Sequence, residues 1–256
     1  MSASLQCTLR VECQLCYPPR TCGDASVAKL ETFGDDIWIA SGPVVTSMGF
    51  RYPTRMAIIR LASGKLFIWS PVAISPDLRA DVEALGEVGF IVAPNSLHYV
   101  FLKEWSAAYP QAAVYAAPGV RERCKDIAFA GELGDEAPAA WAGEIDQAPM
   151  RGNLITTEIV FFHRKSGAVL FTDLIQHFRP GWFKGVQALI AKMDGMTGPA
   201  PRVPQKFRTA FVDRKAARAS LSRILSWPAQ KVLMAHAEPV MSDAQAFIAR
   251  TFAWLR

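Results

Sequence analysis

The chain holds four histidines, at positions 98, 163, 177 and 236. Two of them share a placement with one aspartate. His98 closes "IVAPNSLHYV" (91–100), Asp173 closes "GAVLFTDL" (167–174), and His236 sits in "KVLMAHAEPV" (231–240). Each stands just past the carboxyl end of a short apolar run that reads as a strand. Open α/β sheets gather their ligands at that end. Two imidazoles and a carboxylate form a common ligand set for first-row metals. A catalytic metal site needs a few fixed protein ligands and one open position for water. His98, Asp173 and His236 therefore read as ligands of one divalent ion, Zn, Fe or Mn. Taken singly, each is an ordinary capping or turn residue; their shared placement carries the reading. His177, four residues after Asp173, is placed to reach the same mouth as a substrate contact. His163 precedes the turn "RKSG" and should lie opposite Ala168, at the far end of the hairpin. At ~3.3 Å per residue it is expected roughly 16 Å from Asp173. It reads as a solvated or hairpin-packed histidine outside the ligand set.

The elements that must position these residues follow from periodicity and punctuation. A strand is expected over 35–44, and two strands around Ser63-Gly64-Lys65 over 54–72. A helix over 75–90 opens on Ser75-Pro76-Asp77, and the strand 90–94 follows it. A helix over 101–110 stops at Pro110, and a strand spans 112–119. Residues 126–150 are acidic and rich in Ala and Pro, and read as a surface excursion with one short helix and one strand. The clearest hairpin covers 156–174. The connection 178–206 holds one helix (182–193). A helix over 213–227, a strand over 231–235 and a helix over 242–256 behind a Ser/Asp cap complete the chain. This order suggests two sheets covered by outer helices in one compact domain.

With 256 residues, about half apolar and a fifth charged, the chain is long enough for a sizeable core. Its net charge of +5 is spread in small clusters. No interleaved aromatic and basic surface is visible, so no nucleic-acid partner is expected. No run of about 18 apolar residues is present, so no membrane span and no membrane partner are expected. The N-terminus lacks the apolar core of a signal peptide, and a cytoplasmic location is expected. Cys7, Cys13, Cys16 and Cys22 fall within residues 1–28, a cysteine-containing extension. A four-thiolate zinc knot, disulfides and free thiols all remain open readings. The domain proper is expected over 29–256. A small-molecule substrate is expected, and a homodimer is left open.

Beyond the spacing, three segments carry a family resemblance. "IVAPNSLHYVFLKEWSAAYPQAAVYAAPG", "EIVFFHRKSGAVLFTDL" and "VLMAHAEPV" resemble the metal-binding loop, the later hairpin and the last strand of the metallo-β-lactamase superfamily. The resemblance covers about residues 30–256. Within the superfamily it is strongest to a bacterial family described only as a metallo-β-lactamase-like domain of unknown function. It implies a four-layer αββα sandwich. The sequence departs from the superfamily pattern in its ligands. Asn95 stands where the first histidine of the metal loop is expected, and that loop holds one His and no acid. No histidine occurs near "MRGNLIT", and Ala237 follows His236 where Gly is expected. What carries over is one metal site of His98, Asp173 and His236, with Asp173 also catalytic. Asn95 would orient a water or bind substrate. Arg208, with Arg202, would stabilise an anionic substrate. Trp105, Trp182 and Phe183 either wall a pocket or pack in the core. The implied activity is that of a mononuclear metal-dependent hydrolase using a metal-activated hydroxide. The competing reading is a fold that has lost its metals and serves as a non-catalytic binding scaffold.

Overall fold

The computed structural model describes residues 30–256. The readings of Cys7, Cys13, Cys16 and Cys22 fall outside the described residues. A seven-stranded sheet runs in chain order through β1 (Leu30–Gly34), β2 (Ile37–Ser47), β3 (Phe50–Arg60), β4 (Leu66–Trp69), β5 (Val88–Ala93), β6 (Ala113–Ala116) and β7 (Gly131–Glu132). The first four strands pair antiparallel, and β4 to β7 pair parallel. The change of sense follows from the connections. The helices α1 (Pro76–Leu85) and α2 (Leu102–Ala108) return the chain between parallel neighbours. A second sheet of four strands has the order β11-β10-β9-β8, built from β8 (Ile145–Met150), β9 (Glu158–His163), β10 (Ala168–Gln176) and β11 (Lys231–His236).

Period-two alternation builds the layers. In β3 and β4, Ala57, Ile59, Phe67 and Trp69 face the second sheet, while Met56, Ile58, Leu66 and Ile68 face α1 and α2. In β9, β10 and β11, Ile159, Phe161, Leu170 and Leu233 meet that same inner core. Val160, Phe162, Val169, Phe171 and Met234 face outward, onto α5 (Arg214–Leu225) and α6 (Ala244–Thr251). Three apolar cores between four layers make the αββα sandwich that was expected. Local signals hold at α1, where Ser75 Oγ accepts from Leu78 N at 3.1 Å, and at α5, where Asp213 accepts from Ala216 N at 2.9 Å.

Several expectations are corrected. The strand expected over 35–44 continues to Ser47 and forms a long hairpin with β3, closed by Met48 and Gly49, both at positive φ. The excursion 126–150 contains β7 and β8 and no helix. A short helix, α4 (Gln205–Ala210), follows α3 (Gly185–Met193) in the connection read as holding one helix. The expected Ser/Asp cap of the last helix is absent. Asp243 precedes α6 in a left-handed conformation and makes no side-chain cap bond.

His163 pairs with Ala168, as its place before the turn predicted. It is 2% exposed, packed within the hairpin, with Nδ1 2.8 Å from Ser166 Oγ. Burial pushes its imidazole down to about 4. The unfolded chain takes this proton near 6.5 and the fold only near 4. Stability tied to neutral His163 is thus fully present above pH 6.5 and is lost as pH falls through that window. The amplitude is about 3 kcal/mol at most, at 1.36 kcal/mol per pKa unit. Urea titrations of His163→Leu between pH 7 and 4 should show a flatter pH dependence than wild type; equal slopes would refute the assignment.

Candidate metal centre

The site forms where the two sheets end together. β5 stops at Ala93, and Asn95 begins the turn that carries His98. Asn95 Oδ1 accepts from Leu97 N at 2.8 Å and His98 N at 3.0 Å, which fixes that turn. β11 ends on His236 itself. Arg55 Nη1, from β3, donates to the carbonyls of Met234 and Ala237 on either side of it. His177 N donates to His236 O at 2.9 Å.

Asp173 does not follow its strand, as the sequence suggested, but lies inside β10. There the ladder breaks: β10 advances from Phe171 to Gln176 while β11 advances only from Met234 to His236. The extra residues bulge out and turn the amides of 172–174 away from the ladder. A carboxylate catches them. Glu158, at the start of β9 and wholly buried, accepts from Thr172 N at 2.7 Å through Oε1. Through Oε2 it accepts from Asp173 N at 2.7 Å and Leu174 N at 3.1 Å. Burial and the nearby Asp173 charge push the Glu158 carboxyl above the usual range, against these donors. Asn95 Nδ2 completes the net, donating to Thr172 Oγ1 and Asp173 Oδ2, both at 2.8 Å.

His98, Asp173 and His236 therefore meet. One ligand atom from each lies within 4.8 Å of the others, the one such group among the described residues. His98 Nε2 is 3.2 Å from His236 Nε2 and 3.1 Å from Asp173 Oδ2, and His236 Nε2 is 3.4 Å from Asp173 Oδ1. Two ligands on a tetrahedral ion with bonds of ~2.1 Å lie about 3.4 Å apart, so the spacing fits.

The hydrogen bonds behind the rings show what the site needs. His236 Nδ1 lies 2.9 Å from Pro53 O, a carbonyl that only accepts, so Nδ1 carries the proton. Ser70 Oγ donates to Arg55 O at 3.1 Å and therefore accepts from His98 Nδ1 at 2.8 Å. Both rings thus turn Nε2, the nitrogen that an ion would take, toward a carboxylate. Three potential ligand atoms on one point suit a cation, and each ring is held by the backing bond that metal-ligating histidines use. The residues fit a divalent ion. Burial alone would raise Asp173, but the two imidazoles outweigh it and hold its carboxyl well below the usual range. Burial lowers His236, which eases loss of the proton that ligation would require.

The remaining candidates are placed elsewhere or in support. Asn95 is buried behind the ligands, bonded to Asp173. His177 turns its ring away, donating from Nε2 to Gly198 O at 2.8 Å. Arg208 donates from Nε to Val203 O and lies over the Trp254 ring at 5.4 Å. Trp105 and Phe183 are buried, and Trp182 is half-buried with its indole N–H on Arg51 O at 2.9 Å. Tyr52 and Phe178 form the aromatic wall beside His236, at ring distances of 5.4 and 6.4 Å. The sequence reading missed Ser70, Glu158 and Tyr52. Ser70 stands just after β4, the placement that flagged the other site residues, so the same rule would have found it. Glu158 is a lone acid opening the apolar run "EIVFFH", a signal in itself.

Two facing sheets between helices, with a His/Asp cluster at their common end, make up the metallo-β-lactamase-like fold. Comparison with solved structures agrees. A metallo-β-lactamase from Pontibacter korlensis superposes with a TM-score of 0.59 at 13% identity, over 89% of this chain and 98% of that one. The metallo-β-lactamase FIM-1 from Pseudomonas aeruginosa, in its mono-zinc form, gives 0.58 at 10% identity over 89% and 95%. The flavodiiron core of Flv1 from Synechocystis sp. PCC6803 gives 0.57 at 12% identity over 89% and 60%. No curated protein matches the chain. The chain belongs to the family described as Domain of unknown function (DUF4336), whose profile matches residues 36–194.

Proposed function

We propose that the protein is a mononuclear metal-dependent hydrolase, with His98, Asp173 and His236 holding one divalent ion. The observation that carries this is the pair of imidazole orientations. Both Nδ1 atoms are committed to acceptors, so both Nε2 atoms converge with a carboxylate on one point. Zn, Fe and Mn all suit two imidazoles and a carboxylate. Such an ion supplies an activated water near neutral pH and polarises a substrate oxygen. The chain's own residues do the rest. Asn95 and Glu158 hold Asp173 in place, and Ser70 and Pro53 hold the rings. Tyr52 and Phe178 shield the His236 side from water.

The test pairs metal content with turnover. Protein loaded with Zn, Fe or Mn in turn is assayed on ester, thioester, lactam and phosphodiester reporters. We expect one equivalent of metal and hydrolysis of at least one reporter that chelation removes and metal restores. A protein that takes up no metal, and whose thermal stability chelator leaves unchanged, would instead be the binding scaffold.

A further inference from the structure

Helix α3 is built inside out. A surface helix normally turns its large apolar residues to the core. Here Val186, Leu189, Ile190 and Met193, spaced i, i+3, i+4, i+7 on one face, are 73%, 59%, 46% and 74% exposed. The opposite face seats the helix with small residues: Ala188 is half-buried and Ala191 is wholly buried against Phe178, Phe183 and Met196. Next to the stripe stands the tip of the β2–β3 hairpin. Gln187 donates to Gly49 O at 2.6 Å, and neighbouring Met48 is 97% exposed. Among the described residues nothing covers this apolar face.

The charge around it has one sign. Residues 37–53 and 174–193 contain no Asp or Glu, and they carry the exposed Arg51, Lys184 and Lys192, with Arg179 paired to Glu238. Two acids lie nearby, and both are engaged: Glu238 with Arg179, and Asp194 with Lys206. A second copy is a poor occupant, because a two-fold interface would set these cations against themselves. Five apolar side chains also fall well short of the roughly 20–30 residues per side of a stable protein interface. An anionic bilayer has neither problem. It complements the charge and needs no matching shape.

We propose that α3 and the β2–β3 tip form a membrane-docking face that inserts Met48, Val186, Leu189, Ile190 and Met193 into the surface of an anionic phospholipid bilayer. The absence of a spanning segment is no obstacle, since such a face lies in the interface plane and crosses nothing. The same aromatic cluster that underlies α3 reaches His236 through Phe178, so docking sets the candidate centre close to the lipid. The proposal stands without the hydrolase reading.

Cosedimentation of the full chain with phosphatidylcholine vesicles, with and without about one quarter phosphatidylserine, tests it. Binding to the phosphatidylserine vesicles should be at least tenfold stronger than to pure phosphatidylcholine and should fall with added salt. Each basic residue near an anionic surface is worth roughly fivefold, so Lys184→Glu with Lys192→Glu should weaken binding at least tenfold. Leu189→Gln with Met193→Gln should do the same by removing inserted apolar area. All four positions are exposed, so the fold is not at stake. Absence of binding to anionic vesicles, or equal binding by both variants, would overturn the proposal. So would a dimer in sedimentation velocity that Leu189→Gln with Met193→Gln breaks, which would assign the face to a second copy.

Discussion

Glu158→Ala is expected to cost the fold about 3 to 9 kcal/mol, enough to unfold a domain of ordinary stability. Three backbone amides, of Thr172, Asp173 and Leu174, have this carboxylate as their partner. Each buried donor left bare costs about 1–3 kcal/mol, and the low end applies where water enters the vacated space. Glu158→Gln should rescue only part, since its oxygen in the Oε2 position still accepts from Asp173 N and Leu174 N while its NH2 faces Thr172 N. Its amide NH2 would replace one accepting oxygen and point donor at donor. Equilibrium urea denaturation of both variants measures this. A Glu158→Ala protein within about 1 kcal/mol of wild type would show that the bulge finds other acceptors. The prediction separates Glu158 from an ordinary core residue, for which a similar-sized polar substitute would not fail for reasons of donor geometry.

Asp173→Ala is expected to remove metal binding altogether at micromolar protein. The aspartate is the one anionic group of the cluster, and without it two neutral imidazoles face each other with no charge to offset the ion. Ser70→Ala supplies the scale. It leaves all three ligands and removes only the acceptor behind His98, a change that typically costs ten- to a hundredfold in affinity. Competition against a chromogenic chelator should therefore rank wild type above Ser70→Ala, and Ser70→Ala above Asp173→Ala. If Asp173→Ala keeps its metal, the ion sits elsewhere and the proposed centre is wrong. Ser70 has φ 52, so a glycine there would change backbone strain as well as the hydroxyl; alanine isolates the hydroxyl.

The His98, Asp173 and His236 cluster was legible because apolar runs are legible, although Asp173 lies at a bulge inside β10 and not past its end. Short apolar runs bounded by polar residues mark β5, β10 and β11, and the rule that sites gather at such ends picked out His98, Asp173 and His236. The partners that make those ligands work were harder to see. Glu158 acts from a strand start, across a bulge that no local pattern announces, and Pro53 acts through a backbone carbonyl. Periodicity also says that a helix has an apolar face without saying where the face points. The run 182–193 reads as a helix, and nothing in its pattern says that the apolar stripe faces outward. Searching for a membrane span likewise looks for length, and α3 has only nine residues. One of the two strands in 126–150 was hidden for an ordinary reason. β7 is two residues long and is held by neighbours distant in sequence, Tyr115 and Ala116, which no window over the segment contains.

The interrupted ladder of β10 has one more consequence. Rungs 168–171 are complete without the loop that carries the acid. The Asp173 side chain can therefore be exchanged, and the chemistry at the sheet end rewritten, with rungs 168–171 left standing, while Leu174 and Ile175 of the same stretch stay packed in the core. Architecture and reactivity are held by separate residues of one strand, an arrangement that lets a lineage try new ligands without first rebuilding its scaffold.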